Sequence, residues 1–100
     1  MNVRLLEPAG QELDEAVVYY NAQVDGLGDA FLLEVLRIFG LLEQYPRAWH
    51  PLGGGIRRCR LSRFPYAVIY APEPEEILVI AIMHMHRRPG YWRDRLKDSP

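Results

Sequence analysis

The hydrophobic period of this chain changes once, from helical to strand-like, and this change restricts the fold more than any other feature of the sequence. In the first half, apolar side chains recur at the spacing that places them on one face of a helix. After Gly55, β-branched and aromatic residues occur in short runs separated by turn residues, which is typical of antiparallel strands. With 49% hydrophobic and 25% charged residues, the composition is that of one globular domain over residues 1–100. The sequence therefore predicts an α+β fold.

The first half predicts a short strand at residues 3–6 followed by two helices. Pro8 suits the first turn of a helix, where its missing N–H is not needed. This helix is expected to end at Gly26-Leu27-Gly28, because glycine tolerates the left-handed conformation found at helix ends. The second helix is predicted over residues 29–45, with Pro46 ending it. A connection this short makes the two helices an antiparallel hairpin.

The second half predicts a small antiparallel sheet on which the hairpin packs. Strands are expected at residues 56–61, 66–71 and 77–86, because the turns between them are short enough for hairpins. Residues 47–55 are expected to form a loop, and residues 91–96 a short C-terminal tail helix. On the last strand both alternating sets of side chains are apolar, so both faces of the sheet need cover. Either the tail or a partner chain covers the face that the hairpin leaves open.

Charge and cysteine content narrow the class of protein. Residues 1–50 carry a formal charge of −5 and residues 51–100 one of +4, which suggests an acidic or polyanionic partner for the basic half. Cys59 is the single cysteine, so the chain has no internal disulfide. No apolar run is long enough for a signal peptide or a membrane span, so we expect a cytoplasmic protein without membrane association.

Two histidines and a group of arginines are the candidate functional residues. His84 and His86 would lie on one side of a strand, but a metal site needs a third ligand, so no metal is expected. No cofactor is expected either, because Gly53-Gly54-Gly55 lacks the lysine of a phosphate-binding loop. Arg58 and Arg60 share one face of a strand. Arginine beside aromatic residues suits phosphates and unstacked bases, and a nearby histidine could transfer protons.

The arginines have a structural interpretation as well. Those between residues 87 and 95 could pair with the acidic helices, and Trp92 could anchor the core.

Four segments in the second half carry a more specific pattern. They are Arg58-Cys59-Arg60-Leu61, Arg63-Phe64-Pro65-Tyr66-Ala67-Val68-Ile69-Tyr70, Ile80-Ala81-Ile82-Met83-His84 and Arg88-Pro89-Gly90-Tyr91-Trp92. After a helical hairpin, this order resembles the RelE/ParE toxin superfamily over nearly the whole chain. The resemblance implies a growth-inhibiting toxin of a bacterial type II toxin–antitoxin module, of the plasmid-stabilisation type. It also implies a cognate antitoxin that wraps across the toxin in a hetero-oligomer.

The superfamily has two branches, and the sequence is closer to the ParE-like one. RelE-like members cut messenger RNA on the ribosome, whereas ParE-like members are described as inhibiting DNA gyrase without comparable catalytic residues. Ala67 stands where the nuclease branch carries an arginine that holds the scissile phosphate. Without such a clamp, RNA cleavage would lose a large electrostatic contribution. If the chain were nevertheless a nuclease, the resemblance would give it these catalytic candidates: Arg60, His86, Arg88 and Tyr91.

Three functional hypotheses follow from the resemblance. The leading one is a ParE-type toxin that binds an essential target, with DNA gyrase as the candidate, and performs no chemistry. The alternatives are a ribosome-dependent endoribonuclease and a degenerate member that only binds its antitoxin. In each case the target or antitoxin would contact one basic sheet face closed by the tail, and we expect the contact residues to be Arg58, Arg60, His84, His86, Arg88, Tyr91 and Trp92.

Overall fold

The computed structural model describes residues 2–97, so residue 1 and residues 98–100 of the predicted domain lie outside the described residues. The elements, in chain order, are β1 (Asn2–Leu5), α1 (Glu7–Gln23), α2 (Leu27–Gln44), β2 (His50–Gly53), β3 (Ile56–Arg60), β4 (Tyr66–Pro72), β5 (Glu76–His84) and a 3₁₀ turn (Arg93–Leu96). This is the predicted α+β architecture, a helical hairpin packed against a mostly antiparallel sheet and followed by a short C-terminal turn. None of the helices in residues 2–97 is both long enough and apolar enough to cross a bilayer.

The helical hairpin depends on two glycines at its turn. Gly26 has a φ of 83°, a left-handed conformation that glycine adopts without strain, and it directly precedes α2. Gly28 lies in the first turn of α2, where a Cβ atom would overlap the carbonyl oxygen of Val17 and the side chain of Asn21. Its backbone N–H donates a 2.7 Å hydrogen bond to Asn21 Oδ1. The two helices therefore approach as closely as they do because residue 28 has no side chain.

We expect Gly28→Ala to lower the free energy of unfolding by about 1–3 kcal/mol, because the added methyl group has no space between the helices. Gly40→Ala is the matched control, since Gly40 is an exposed residue of the same helix and its Cβ would meet nothing within 4 Å. There the substitution should raise the free energy of unfolding by about 0.5–1 kcal/mol through helix propensity. Urea denaturation monitored by circular dichroism measures the free energy of unfolding of both variants. Equal effects at the two positions would contradict the close packing at Gly28.

The sheet has the strand order β1-β5-β4-β3-β2. β1 runs parallel to β5, and the other neighbouring strands are antiparallel. The expectation of a loop over residues 47–55 is wrong, because residues 50–53 form β2 at the edge of the sheet. Proline and glycine are poor strand residues, so β2 is held by its pairing with β3 rather than by its own sequence.

Each face of the sheet has its own core. The face toward the helices packs Val68, Tyr70 and Val79 against α1 and α2. The opposite face, called here the outer face, is formed by Ile56, Ala67, Ile69, Leu78, Ile80, Ala81 and Met83, with Trp92 packed on them. The chain's own C-terminal tail (residues 85–97) therefore supplies the cover that the two-sided β5 requires. The expected cover for this face was either the tail or a partner chain, and the structure shows the tail in that position.

A β-bulge in β5 decides which side chains face outward. Ile69 pairs with Ala81 and Tyr70 pairs with Val79, so Ile80 is an extra residue on β5. Because of it, Ile80 and Ala81 both contact the outer core, and Ile82 turns toward the helices. β5 ends at His84, two residues before its predicted end.

Candidate binding surface

Arg58 and Arg60 lie on the outer face, as the sequence predicted. In the register of β3 and β4, Arg58 is opposite Ile69 and Arg60 is opposite Ala67, and both of these partners belong to the outer core. Arg60 is exposed, whereas Arg58 is partly buried. Ala67 is fully buried beneath this surface, so the position at which the nuclease branch carries an arginine holds a methyl group here.

His84 lies on the other side of the sheet and His86 lies beyond the end of β5, so the prediction that they share a face with Arg58 and Arg60 is wrong. His84 follows Ile82 by two residues and faces the helices with it, and its ring centroid is 5.0 Å from that of Tyr66. His86 is exposed in the turn after β5 rather than in the strand. Its ring is 5.0 Å from that of His84, and its backbone N–H donates a 3.0 Å hydrogen bond to His84 Nδ1.

Tyr91 is held by Glu12 of α1. The Tyr91 hydroxyl donates a 2.6 Å hydrogen bond to Glu12 Oε2. Arg95 binds the same carboxylate through both terminal nitrogens, each at 2.8 Å. These residues are 79 and 83 positions from Glu12, so no local pattern could have indicated the contact. Glu12, Tyr91 and Arg95 are called the edge clamp below.

The edge clamp closes the part of β5 that β1 does not reach. The pairing of β1 with β5 ends at Val79, which leaves the next backbone groups of β5 without a strand on that side. Arg95 donates a 2.9 Å hydrogen bond to the Ile80 carbonyl, and the Ile82 N–H donates one of 3.1 Å to Glu12 Oε1. Buried backbone groups need such partners, so the clamp completes the sheet and anchors the tail.

The environment of Tyr91 opposes a role as a general base. Burial raises the pKa of its hydroxyl, and the hydrogen bond to Glu12 raises it further, so Tyr91 is a neutral hydrogen-bond donor near neutral pH. Cys59 is also unsuited to nucleophilic chemistry, because burial raises the pKa of its thiol to about 11. Among residues 2–97, no three His, Cys, Asp or Glu side chains come close enough to hold a metal ion.

The remaining predicted contact residues lie in or beside a small cavity on the outer face. This cavity, called the outer pocket, has a volume of about 130 Å³ and is lined by Leu52, Arg58, Ile69, Met83, Pro89, Gly90, Trp92 and Arg93. Trp92 is 2% exposed, so it belongs to the core and offers no free ring surface. The Arg93 guanidinium lies 4.6 Å from the Trp92 ring centroid. Arg88 is an exposed residue of the tail, two positions after His86.

These features define a class of protein. It is a small α+β fold in which a helical hairpin covers one sheet face, while a short tail covers part of the other face and leaves guanidinium groups open beside it. A family model described as "ParE toxin of type II toxin-antitoxin system, parDE" matches residues 3–89. The chain therefore belongs to the ParE toxin family, and its class is that of the toxin of a type II toxin–antitoxin system. The resemblance to the ParE-like branch of the RelE/ParE superfamily is confirmed.

A solved structure shows the same fold. A chain of the structure described as "Chromosomal ParDE TA system from P. aeruginosa" superposes with a TM-score of 0.74 and is 17% identical, over 86% of this chain and 97% of that chain. No curated protein gives a match to the sequence.

Proposed function

We propose that this chain, as a single domain, is a ParE-type toxin that arrests growth by binding an essential target and has no chemistry of its own. DNA gyrase is the candidate target, the cytoplasm is the site of action, and a cognate antitoxin neutralises the toxin by forming a hetero-oligomer with it. The family match over residues 3–89 carries the proposal. The positions of the candidate catalytic residues favour a toxin that binds its target over one that catalyses a reaction.

The nuclease candidates do not form one catalytic group. Arg60 lies on the outer face, while His84 faces the helices and His86 lies in the turn beside it. Tyr91 has its hydroxyl engaged by Glu12. Catalysis of RNA cleavage requires a phosphate clamp and a proton-transfer group on the same side of the substrate, within hydrogen-bond reach of the reacting atoms. This separation favours a toxin that acts by binding.

Induction of the wild-type chain without its antitoxin should stop growth, relax plasmid supercoiling and activate a DNA-damage reporter. Agarose gels with an intercalator measure the plasmid topology, and radiolabelled methionine incorporation measures translation. His86→Ala should leave the growth arrest unchanged, because His86 is exposed and its ring packs beside that of His84, which faces the helices. An immediate translation arrest with normal supercoiling, abolished by Arg60→Ala or His86→Ala, would instead establish the endoribonuclease. Normal growth on induction would indicate a degenerate member that binds only its antitoxin.

A further inference from the structure

Within residues 2–97, the outer pocket contains a cationic group that has no anionic partner. Arg58 Nε is buried and has no hydrogen-bond partner among residues 2–97. The ion pairs within that part of the chain are Arg4–Glu76, Arg95–Glu12 and Lys97–Asp94, so neither Arg58 nor Arg93 takes part in one. A buried guanidinium donor without an acceptor costs free energy, and a carboxylate bound beside this guanidinium would offset part of that cost through its charge.

The rest of the pocket is built to hold that donor in place. Trp92, Met83 and Ile69 form an apolar floor beside Arg58, and Arg93 lies over the Trp92 ring at 4.6 Å. Gly90, with a φ of 76°, lets the tail turn here, and a Cβ at this position would meet Arg93 Nε at 3.2 Å. The pocket thus presents two guanidinium groups above an apolar surface, with the exposed Arg60 next along the strand from Arg58.

Size and polarity select the kind of anion. A volume of about 130 Å³ is well below the roughly 300–1,000 Å³ of a small-molecule site, so the pocket accepts a single side chain rather than a nucleotide. Recognition of single-stranded nucleic acid uses open aromatic rings, and Trp92 is 2% exposed. A glutamate side chain fits both parts of the pocket, because its methylene groups can pack on the floor while its carboxylate accepts hydrogen bonds from Arg58 and Arg93.

We propose that the outer pocket binds the carboxylate of one glutamate from an acidic segment of a partner protein. This inference rests on the proposed function insofar as the partner is the antitoxin. Arg58 is the primary donor, Arg93 closes the pocket from the tail, and Arg60 takes a further acidic residue of the same segment.

The pocket can be tested without an antitoxin by using a capped pentapeptide with one central glutamate and its glutamine counterpart. In NMR spectra of the ¹⁵N-labelled chain, the glutamate peptide should shift the Arg58 Nε–H and Trp92 indole resonances, with saturation in the millimolar range. The glutamine peptide should leave both unchanged, and Arg58→Gln should abolish the Trp92 shift. Inorganic phosphate and a short single-stranded RNA are tested separately as alternative ligands. If either of them shifts the Arg58 resonance while the glutamate peptide does not, or if no probe shifts it, the proposal is overturned.

A second experiment uses the protein encoded by the neighbouring reading frame as the probe. Arg58→Gln should weaken its binding about ten- to a hundredfold, as expected for the loss of charge-assisted hydrogen bonds. The control Arg63→Gln should change the affinity less than about twofold, because Arg63 is exposed in the β3–β4 turn and exposed charges contribute little to binding. Thermal unfolding of both variants establishes that they are folded.

The two hypotheses fail in different ways. If the wild-type chain arrests growth but Arg58→Gln binds the neighbouring protein as tightly as wild type, the pocket assignment is wrong and the toxin function stands. If the glutamate peptide binds as expected but induction causes no arrest, the toxin function is wrong and the pocket stands.

Discussion

Replacing Glu12 with alanine should lower the free energy of unfolding by about 3–5 kcal/mol and release the C-terminal tail. The substitution removes the acceptor of four hydrogen bonds, donated by the Ile82 N–H, the Tyr91 hydroxyl and both terminal nitrogens of Arg95. The side chains of Glu12 and Arg95 are only 16% and 17% exposed, so the remaining guanidinium would be a poorly solvated charge. Breaking one partner of such a pair costs more than the pair itself contributes.

Denaturant unfolding gives the size of this effect, and amide hydrogen exchange gives its location. We expect faster exchange at Ile82, whose N–H loses its acceptor, and at Arg93 and Arg95, whose amides are bonded only within the tail. Glu15→Ala is the matched control on the same helix, because Glu15 is exposed and its side chain makes no hydrogen bond or ion pair within residues 2–97. A loss below about 1 kcal/mol for Glu12→Ala, within the range of an exposed pair, would show that the tail is held by apolar contacts alone.

The edge clamp also links the tail to the outer pocket. Trp92 and Arg93 lie between Tyr91 and Arg95 in sequence, so these two lining residues of the pocket are anchored on both sides by Glu12. Glu12→Ala should therefore weaken binding of the glutamate peptide even though Glu12 does not line the pocket. Unchanged peptide binding in this variant would show that the pocket keeps its shape without the clamp.

Replacing Trp92 with alanine should cost about 3–5 kcal/mol, the range for deleting a large buried aromatic side chain. Trp92 is 2% exposed and packs on Ile69, Met83 and their neighbours of the outer core. Its removal would expose the outer surface of the central strands and leave a cavity where the ring was. Trp92→Phe keeps part of the apolar contact and should cost less than half as much.

This prediction separates stability from binding, because Trp92 was also a candidate contact residue. If Trp92 serves mainly as a core residue, Trp92→Ala should lower the melting temperature and increase binding of a hydrophobic dye. Any loss of antitoxin binding should then be largely restored in Trp92→Phe. A Trp92→Ala variant with wild-type stability but without antitoxin binding would place the ring in the interface instead.

Local sequence patterns were sufficient to predict the helical hairpin, the three long strands and the need to cover both faces of β5. These features follow from local periodicity, from glycine and proline at the turns, and from apolar residues on both sides of one strand. The resemblance to the toxin family could also be recognised from the sequence, because its pattern consists of short continuous segments. The face shared by Arg58 and Arg60 was also predictable, because strict alternation holds along β3.

The face that His84 occupies and the contacts that hold the tail could not be predicted in this way, because both depend on tertiary packing. Uninterrupted alternation along β5 would place His84 on the face of Leu78 and Ile80, which is the face of the arginines. The bulge at Ile80 adds one residue and turns His84 toward the helices, because side chains in a strand change face with every residue. The single change of hydrophobic period thus defined the helical and sheet layers of the fold. The outer surface of the sheet depends instead on the unpaired Ile80 of β5 and on the Glu12 carboxylate, which is distant in sequence from the tail that it holds.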